Sequence, residues 1–226
     1  DGAAVLNCGT LAVEGETSFG NGVAVEVFNE GGGREIKIYD RLTAQVAYLA
    51  ACYRHRADLA ARIAQLVDAY AAEKTATRGR VGQGARVLNC PAIADVTIGD
   101  GAVVDGALRL VNGSICSTPA APAAVGAGVV AENFIVGTGS SVDSGAMLKN
   151  AFVGQGCRIG RQFSAESSVF CANCEGFHGE AVSVLAGPYT VSHHKSTLLI
   201  AGMFSVSNAG SGTNQSNHMY KIGPVH

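Results

Sequence analysis

Two stretches near the C-terminal end concentrate groups able to do chemistry: Ser192-His193-His194-Lys195-Ser196, and the run from Asn208 to Lys221 that contains Asn214, Gln215, Ser216, Asn217 and His218. They bring together imidazole, amide, hydroxyl and ammonium groups, with Glu175 and Glu180 the nearest acids in sequence. Such groups donate and accept hydrogen bonds in fixed directions, as a site for a polar or anionic ligand requires. For acyl transfer the needs are a His to take a proton from an acceptor hydroxyl or amine and a backbone N–H to hold the oxyanion. His218 and His193 are the candidate bases. His194, Lys195, Asn208, Asn214, Gln215, Ser216 and Asn217 are the candidate ligand contacts. Adjacent strand residues point to opposite faces, so one of His193 and His194 is expected to face the ligand. Cys171-x-x-Cys174 followed by His178 carries three zinc-type ligands at short spacing, but small buried cysteines read first as packing, and no metal ligand is assigned.

The elements that must position these groups are legible as a repeat. Gly2-Ala3-Ala4-Val5-Leu6-Asn7-Cys8 recurs as Gly84-Ala85-Arg86-Val87-Leu88-Asn89-Cys90. An aliphatic residue followed by Gly recurs at Ile98-Gly99, Val125-Gly126, Val136-Gly137 and Val153-Gly154. Within a step, aliphatic residues return about every six positions, as in Val136, Val142 and Leu148. A period near six, grouped in threes, describes a coil with three short faces and sharp corners that favour Gly, Asn or Asp. The expected fold is therefore mainly β: a left-handed parallel β-helix of hexapeptide repeats carrying an α-helical insertion.

Residues 1–39 read as coils that open partway through a turn, which suggests a piece of a longer protein. Residues 40–76 read as the insertion, poor in Gly and Pro, with Leu42, Val46, Leu49 and Tyr53, then Leu59, Ile63, Leu66 and Tyr70, at helical spacing. Asp40 and Asp58 are the expected N-caps. The apolar stripe must cover either a face of the β-helix or another subunit. Residues 77–226 continue the coils, with Thr118–Ala124 protruding as a loop and the polar site region at 190–226. Gly31-Gly32-Gly33-Arg34 reads as a wide turn into an alternating strand.

Composition narrows the function classes. Charged residues make up 15 % of the 226, the net charge is −2, and no basic run exists, so nucleic acid is not an expected partner. No apolar segment has the length of a membrane span. Seven cysteines without a framework spacing fit a reducing compartment, and a cytoplasmic location is expected.

Gly31-Gly32-Gly33-Arg34-Glu35, Ile38-Tyr39-Asp40-Arg41-Leu42, Tyr53-Arg54-His55-Arg56 and the run from His193 to His226 together resemble a bacterial left-handed β-helix family of unknown function. Its members are often labelled glucose-1-phosphate thymidylyltransferase, and the resemblance covers nearly the whole chain. It implies relatedness to sugar-nucleotide transferases and acyltransferases built on hexapeptide repeats. On that reading the ligand is a sugar nucleotide, a sugar phosphate or an acyl-coenzyme A, with coenzyme A as the candidate cofactor and a homotrimer as the expected assembly if the chain is acyltransferase-like. The alternative is a non-catalytic binding or assembly module that uses Leu49, Leu59, Ile63 and Leu66 of the insertion as an interface.

Overall fold

The computed structural model describes residues 2–216. The repeating aliphatic residues form a β-solenoid. A nine-stranded parallel sheet runs from Ala4–Leu6 through Arg86–Leu88, Arg158–Gly160, Glu175–Phe177 and Thr190–Ser192 to Ser207–Ala209. An eleven-stranded parallel sheet forms the remaining wall, from Thr10–Ala12 to Asn214–Ser216. Ala124 pairs with Ser141, Ser141 with Arg158 and Arg158 with Glu175, so a regular coil advances 17 residues, one short of three full six-residue units. The step from Val103 to Ala124 is longer because Thr118–Ala121 closes a small turn outside the wall, which is the protruding loop expected there.

The longer strands of the second sheet bend in the middle, giving each coil three faces. The bends fall at Asp95, Asn112, Asn133, Asn150 and Ser167, all with φ between 47° and 57°. Asn tolerates this left-handed backbone better than other residues with a Cβ, and its amide adds a reason to be there. Asn112 Nδ2 donates to Asn133 Oδ1 at 2.8 Å, and Asn133 Nδ2 donates to Asn150 Oδ1 at 2.9 Å. The three asparagine corners are thus bonded coil to coil.

Inward positions alternate along each face and stack between coils. Val87, Val104, Val142 and Ile159 form one column; Ile93, Leu110, Leu148 and Leu198 lie in another, all buried. Neighbouring coils compensate for one another's volume. A Cβ on Gly113 would sit 2.3 Å from the Phe134 ring, so the glycine in one coil makes room for the phenyl of the next.

The excursion from the stack is longer than the helical stretch. After Thr10–Ala12 the chain leaves the wall, and it rejoins where Val81 bridges Ile98. Between these points Ala24–Glu26 and Glu35–Lys37 pair antiparallel, with the glycine turn of residues 31–33 between them. Residues 24–37 therefore do not belong to the coils expected over 1–39. Alternation alone cannot distinguish a hairpin strand from a coil strand. Two helices follow, α1 (Ala44–Cys52) and α2 (Ala57–Lys74).

Neither expected cap holds. Thr43 caps α1, its side chain accepting from the Val46 N–H, while Arg56 precedes α2 without a capping side chain and Asp58 lies in the first turn. The Asp40 carboxylate is used differently: it accepts from Tyr70 Oη at 2.6 Å and pairs with Lys74 at 3.3 Å, tying the end of α2 to the hairpin.

What the insertion covers is the outward face of the solenoid's third wall. Ile135, Phe152, Val169 and Leu185 point out of the coils yet are buried against Val25, Val27, Ile36, Ile38, Ala47 and Ala51. Of the two covers that the apolar stripe could have, the chain supplies its own. Leu49, Leu59 and Ile63 are part-buried, and Leu66 on α2 remains 54 % exposed.

Candidate functional site

The residues at 190–197 form a strand and a corner rather than one strand. Thr190–Ser192 lies in the first sheet, and His194 and Lys195 then both take positive φ, 58° and 60°. Beneath them Ser192 Oγ and Ser196 Oγ hydrogen-bond at 2.6 Å in the buried interior, closing the corner from inside. His193, His194 and Lys195 are therefore pushed outward together. The expectation that His193 and His194 point to opposite faces fails, because a left-handed corner does not obey strand alternation. Their rings lie 5.8 Å apart, edge to face.

The corresponding corner of the preceding coil is one residue short. Arg161 and Gln162 form a two-residue left-handed corner, then His178 alone, then His194 and Lys195. Their backbones are linked in series: the His178 N–H donates to the Arg161 carbonyl, and the Lys195 N–H to the His178 carbonyl. The coil step across this point is correspondingly 16 residues, from Ser164 to Glu180. A short corner between two longer ones leaves a notch. A groove of about 320 Å³ lies there, lined by Gln162, His178, Gly179, Glu180, Lys195, Ser196 and Thr197. Gly179 allows the coils to approach: a Cβ would meet the Ser196 carbonyl oxygen at 2.6 Å.

Lys195 and His178 are exposed, and no side-chain hydrogen bond or ion pair engages either among the described residues. An ammonium and an imidazole thus face a polar groove with their donors free. Glu180 and Thr197 add an acceptor and a hydroxyl. The arrangement can bind a phosphate or a carboxylate through Lys195 and offer His178 as a proton acceptor.

On the adjoining face His193 Nε2 sits 3.1 Å from Glu175 Oε2, without the alignment of a hydrogen bond. Its ring lies 4.7 Å from that of Phe177, which the Arg161 guanidinium approaches at 5.1 Å. This cluster flanks the groove, whereas the lining histidine is His178.

The remaining expected contacts are spread out. Asn208 pairs with Val191 and lies in the outward column of Glu175. Asn214 follows Thr197 and Glu180 in the outward column below the groove. Gln215 falls in the inward register of Leu198 and Ala181, a core column rather than a ligand face. Ser216 has a buried hydroxyl without a partner among the described residues. Asn217 and His218 lie outside the described residues. His178 carried a signal that the reading of the C-terminal cluster passes over: it is the residue at which the coil spacing drops by one.

Cys171 and Cys174 do not share a face. Cys171 packs outward under the insertion, while Cys174 packs inside the solenoid with Cys157, whose Sγ lies 3.3 Å from the Cys174 N–H. Burial pushes the Cys171 thiol up to about 12, away from the thiolate a metal would need. No group of three or more His, Cys, Asp or Glu side chains suited to a metal ion occurs among the described residues.

A family match spans residues 1–226 and is described as "Domain of unknown function (DUF4954)". The chain belongs to that family. A curated relative, an uncharacterized protein of Treponema pallidum (strain Nichols), is 29 % identical over 205 residues, covering 87 % of this chain. The match takes in 27 % of the relative's length, so this chain spans about a quarter of that protein. No solved structure matches the chain. Among the described residues no helix is long and apolar enough to cross a membrane.

Proposed function

We propose that this chain is a ligand-binding solenoid of the left-handed, hexapeptide transferase type, and that the notch at His178 takes a sugar phosphate or sugar nucleotide. The observation carrying this reading is the groove itself: a one-residue corner between two-residue corners, with Lys195 and His178 free to engage a ligand. Lys195 holds the phosphate as a point charge. Gln162 and Thr197 fix hydroxyls of the sugar, and Glu180 accepts from another.

The reaction proposed on this site is acyl transfer from a coenzyme A thioester. His178 takes the proton from an acceptor hydroxyl or amine as that atom attacks the thioester carbonyl. The carbon–sulfur bond then breaks, and the leaving thiolate takes up the proton. His193, packed beside Glu175 and Phe177, meets His194 edge to face next to the groove.

The test is a thermal-shift panel on the full-length protein with dTDP-glucose, glucose 1-phosphate, inorganic phosphate and acetyl-coenzyme A. A ligand present at about 100 times its Kd stabilises the folded state by about 2.7 kcal/mol. The expected result is a shift with the sugar phosphates that is lost in Lys195→Ala and in His178→Ala. An undiminished shift in the double variant removes the ligand from this groove. Release of free thiol from acetyl-coenzyme A, dependent on the sugar ligand, tests the reaction separately.

A further inference from the structure

A second cavity, which shares no lining residue with the His178 groove, lies where the insertion meets the third wall. It has a volume of about 460 Å³ and lies between α1 and the late coils. Leu185, Cys171 and Met203 come from the solenoid side, with Pro188, while Ala44 and Tyr48 come from α1. Phe204 stands at the edge, 59 % exposed, its ring 5.4 Å from that of Tyr48 and nearly perpendicular to it. Tyr53 meets Tyr48 edge to face, with ring centroids 5.8 Å apart.

Three features mark this cavity. None of its lining side chains is charged at neutral pH: its one thiol, Cys171, is held protonated by burial. The exposed side-chain amide of Gln45 and phenol of Tyr48 line it and are open to a ligand's head group. The rim also gathers exposed aromatic surface, since Tyr48 is 40 % and Phe204 59 % exposed, and such clusters mark binding sites more often than bare surface.

We infer that this cavity binds an uncharged, chain-like apolar molecule with one hydrogen-bonding head group, such as a fatty alcohol or a neutral acyl ester. Charge argues against a carboxylate or a phosphate, because no cation lines the cavity. Size argues against a single ring, because a cavity of about 150 Å³ already holds benzene and this one is about three times larger. The aliphatic surfaces of Leu185, Pro188 and Met203 suit a methylene chain, and the unbranched Met adapts to its path. Gln45 and Tyr48 then supply the donor and acceptor for the head group. The site shares no lining residue with the His178 notch, so its occupancy does not require a ligand there.

The experiment uses the full-length protein and N-phenyl-1-naphthylamine, an uncharged probe that fluoresces in apolar sites. Saturable binding is expected, with displacement by 1-dodecanol at concentrations at least tenfold below those needed with sodium dodecanoate. Ala44→Phe fills the cavity and Tyr48→Ala removes one wall; each is expected to weaken probe binding at least tenfold while circular dichroism melting stays cooperative. Using two variants guards against one that fails to fold. Binding that is unsaturable, that survives both variants, or that dodecanoate competes for equally well overturns the inference. So does a solution mass that halves in Phe204→Ser, which would assign the rim to a second copy of the chain.

Discussion

The asparagine ladder offers a quantitative check on how the coils are held. Asn133 accepts from Asn112, donates to Asn150 and sits at φ 53°. Replacing it by Ala removes two amide hydrogen bonds, each contributing about 1 kcal/mol net. It also forces a residue without a helpful side chain into the left-handed region, at roughly 1 kcal/mol more than Asn. The expected loss for Asn133→Ala is therefore about 3 kcal/mol. Asn133→Gly loses the same bonds but is at ease at this φ, with a small entropic penalty in the unfolded chain. Its expected loss is about 2 kcal/mol. Urea unfolding, compared at unchanged m-value, measures both. For a chain of this size the Ala variant should melt roughly 6–12 °C lower. If the Gly variant is the less stable of the two, or if both lose under about 0.5 kcal/mol, the ladder does not carry the corners as argued.

Two other outcomes follow from the packing and the notch. Inserting one Gly after His178 restores the 17-residue step of the neighbouring coils, so the solenoid should melt within a few degrees of the parent; isothermal titration should show the sugar-phosphate site lost, and retained affinity would separate the site from the short corner. Burial raises the Cys116 and Cys171 thiols to about 12, so at pH 8 their thiolate fraction lies below about one in a thousand. That fraction grows only as pH rises toward 12, so Ellman's reagent should leave both thiols unmodified in the native protein and titrate them on unfolding, and fast labelling of either by mass spectrometry would contradict their burial.

The coil repeat was readable because each turn spends its aliphatic residues inward at a fixed return and its Asn and Gly at corners. Gly2–Cys8 and Gly84–Cys90 do stack, Ala4 pairing with Arg86, 82 positions further along the chain. The hairpin was not readable as such. Val25 and Ile36 alternate with polar neighbours as a coil strand would, and only the partner strand reveals the direction of pairing. Asp40 looked like a cap because it precedes a helical run, yet Tyr70 and Lys74, 30 and 34 positions on, claim its carboxylate. Strand alternation puts His193 and His194 on opposite faces, and the left-handed corner at His194 abolishes that alternation.

The sequence by itself determined the wall: its period, its inward columns, its corner residues and the place where helices interrupt it. These are local choices of residue type, repeated from coil to coil. The tertiary structure decided what lies on the outside of that wall. It placed the insertion's apolar stripe on Ile135, Phe152 and Val169, and it turned a missing residue at His178 into a groove facing Lys195. Both depend on which coil stacks on which, and stacking joins residues 16 or 17 apart in the regular coils, 21 apart across the Thr118–Ala121 loop and more than 80 apart across the insertion. Local propensity carries no record of such neighbours.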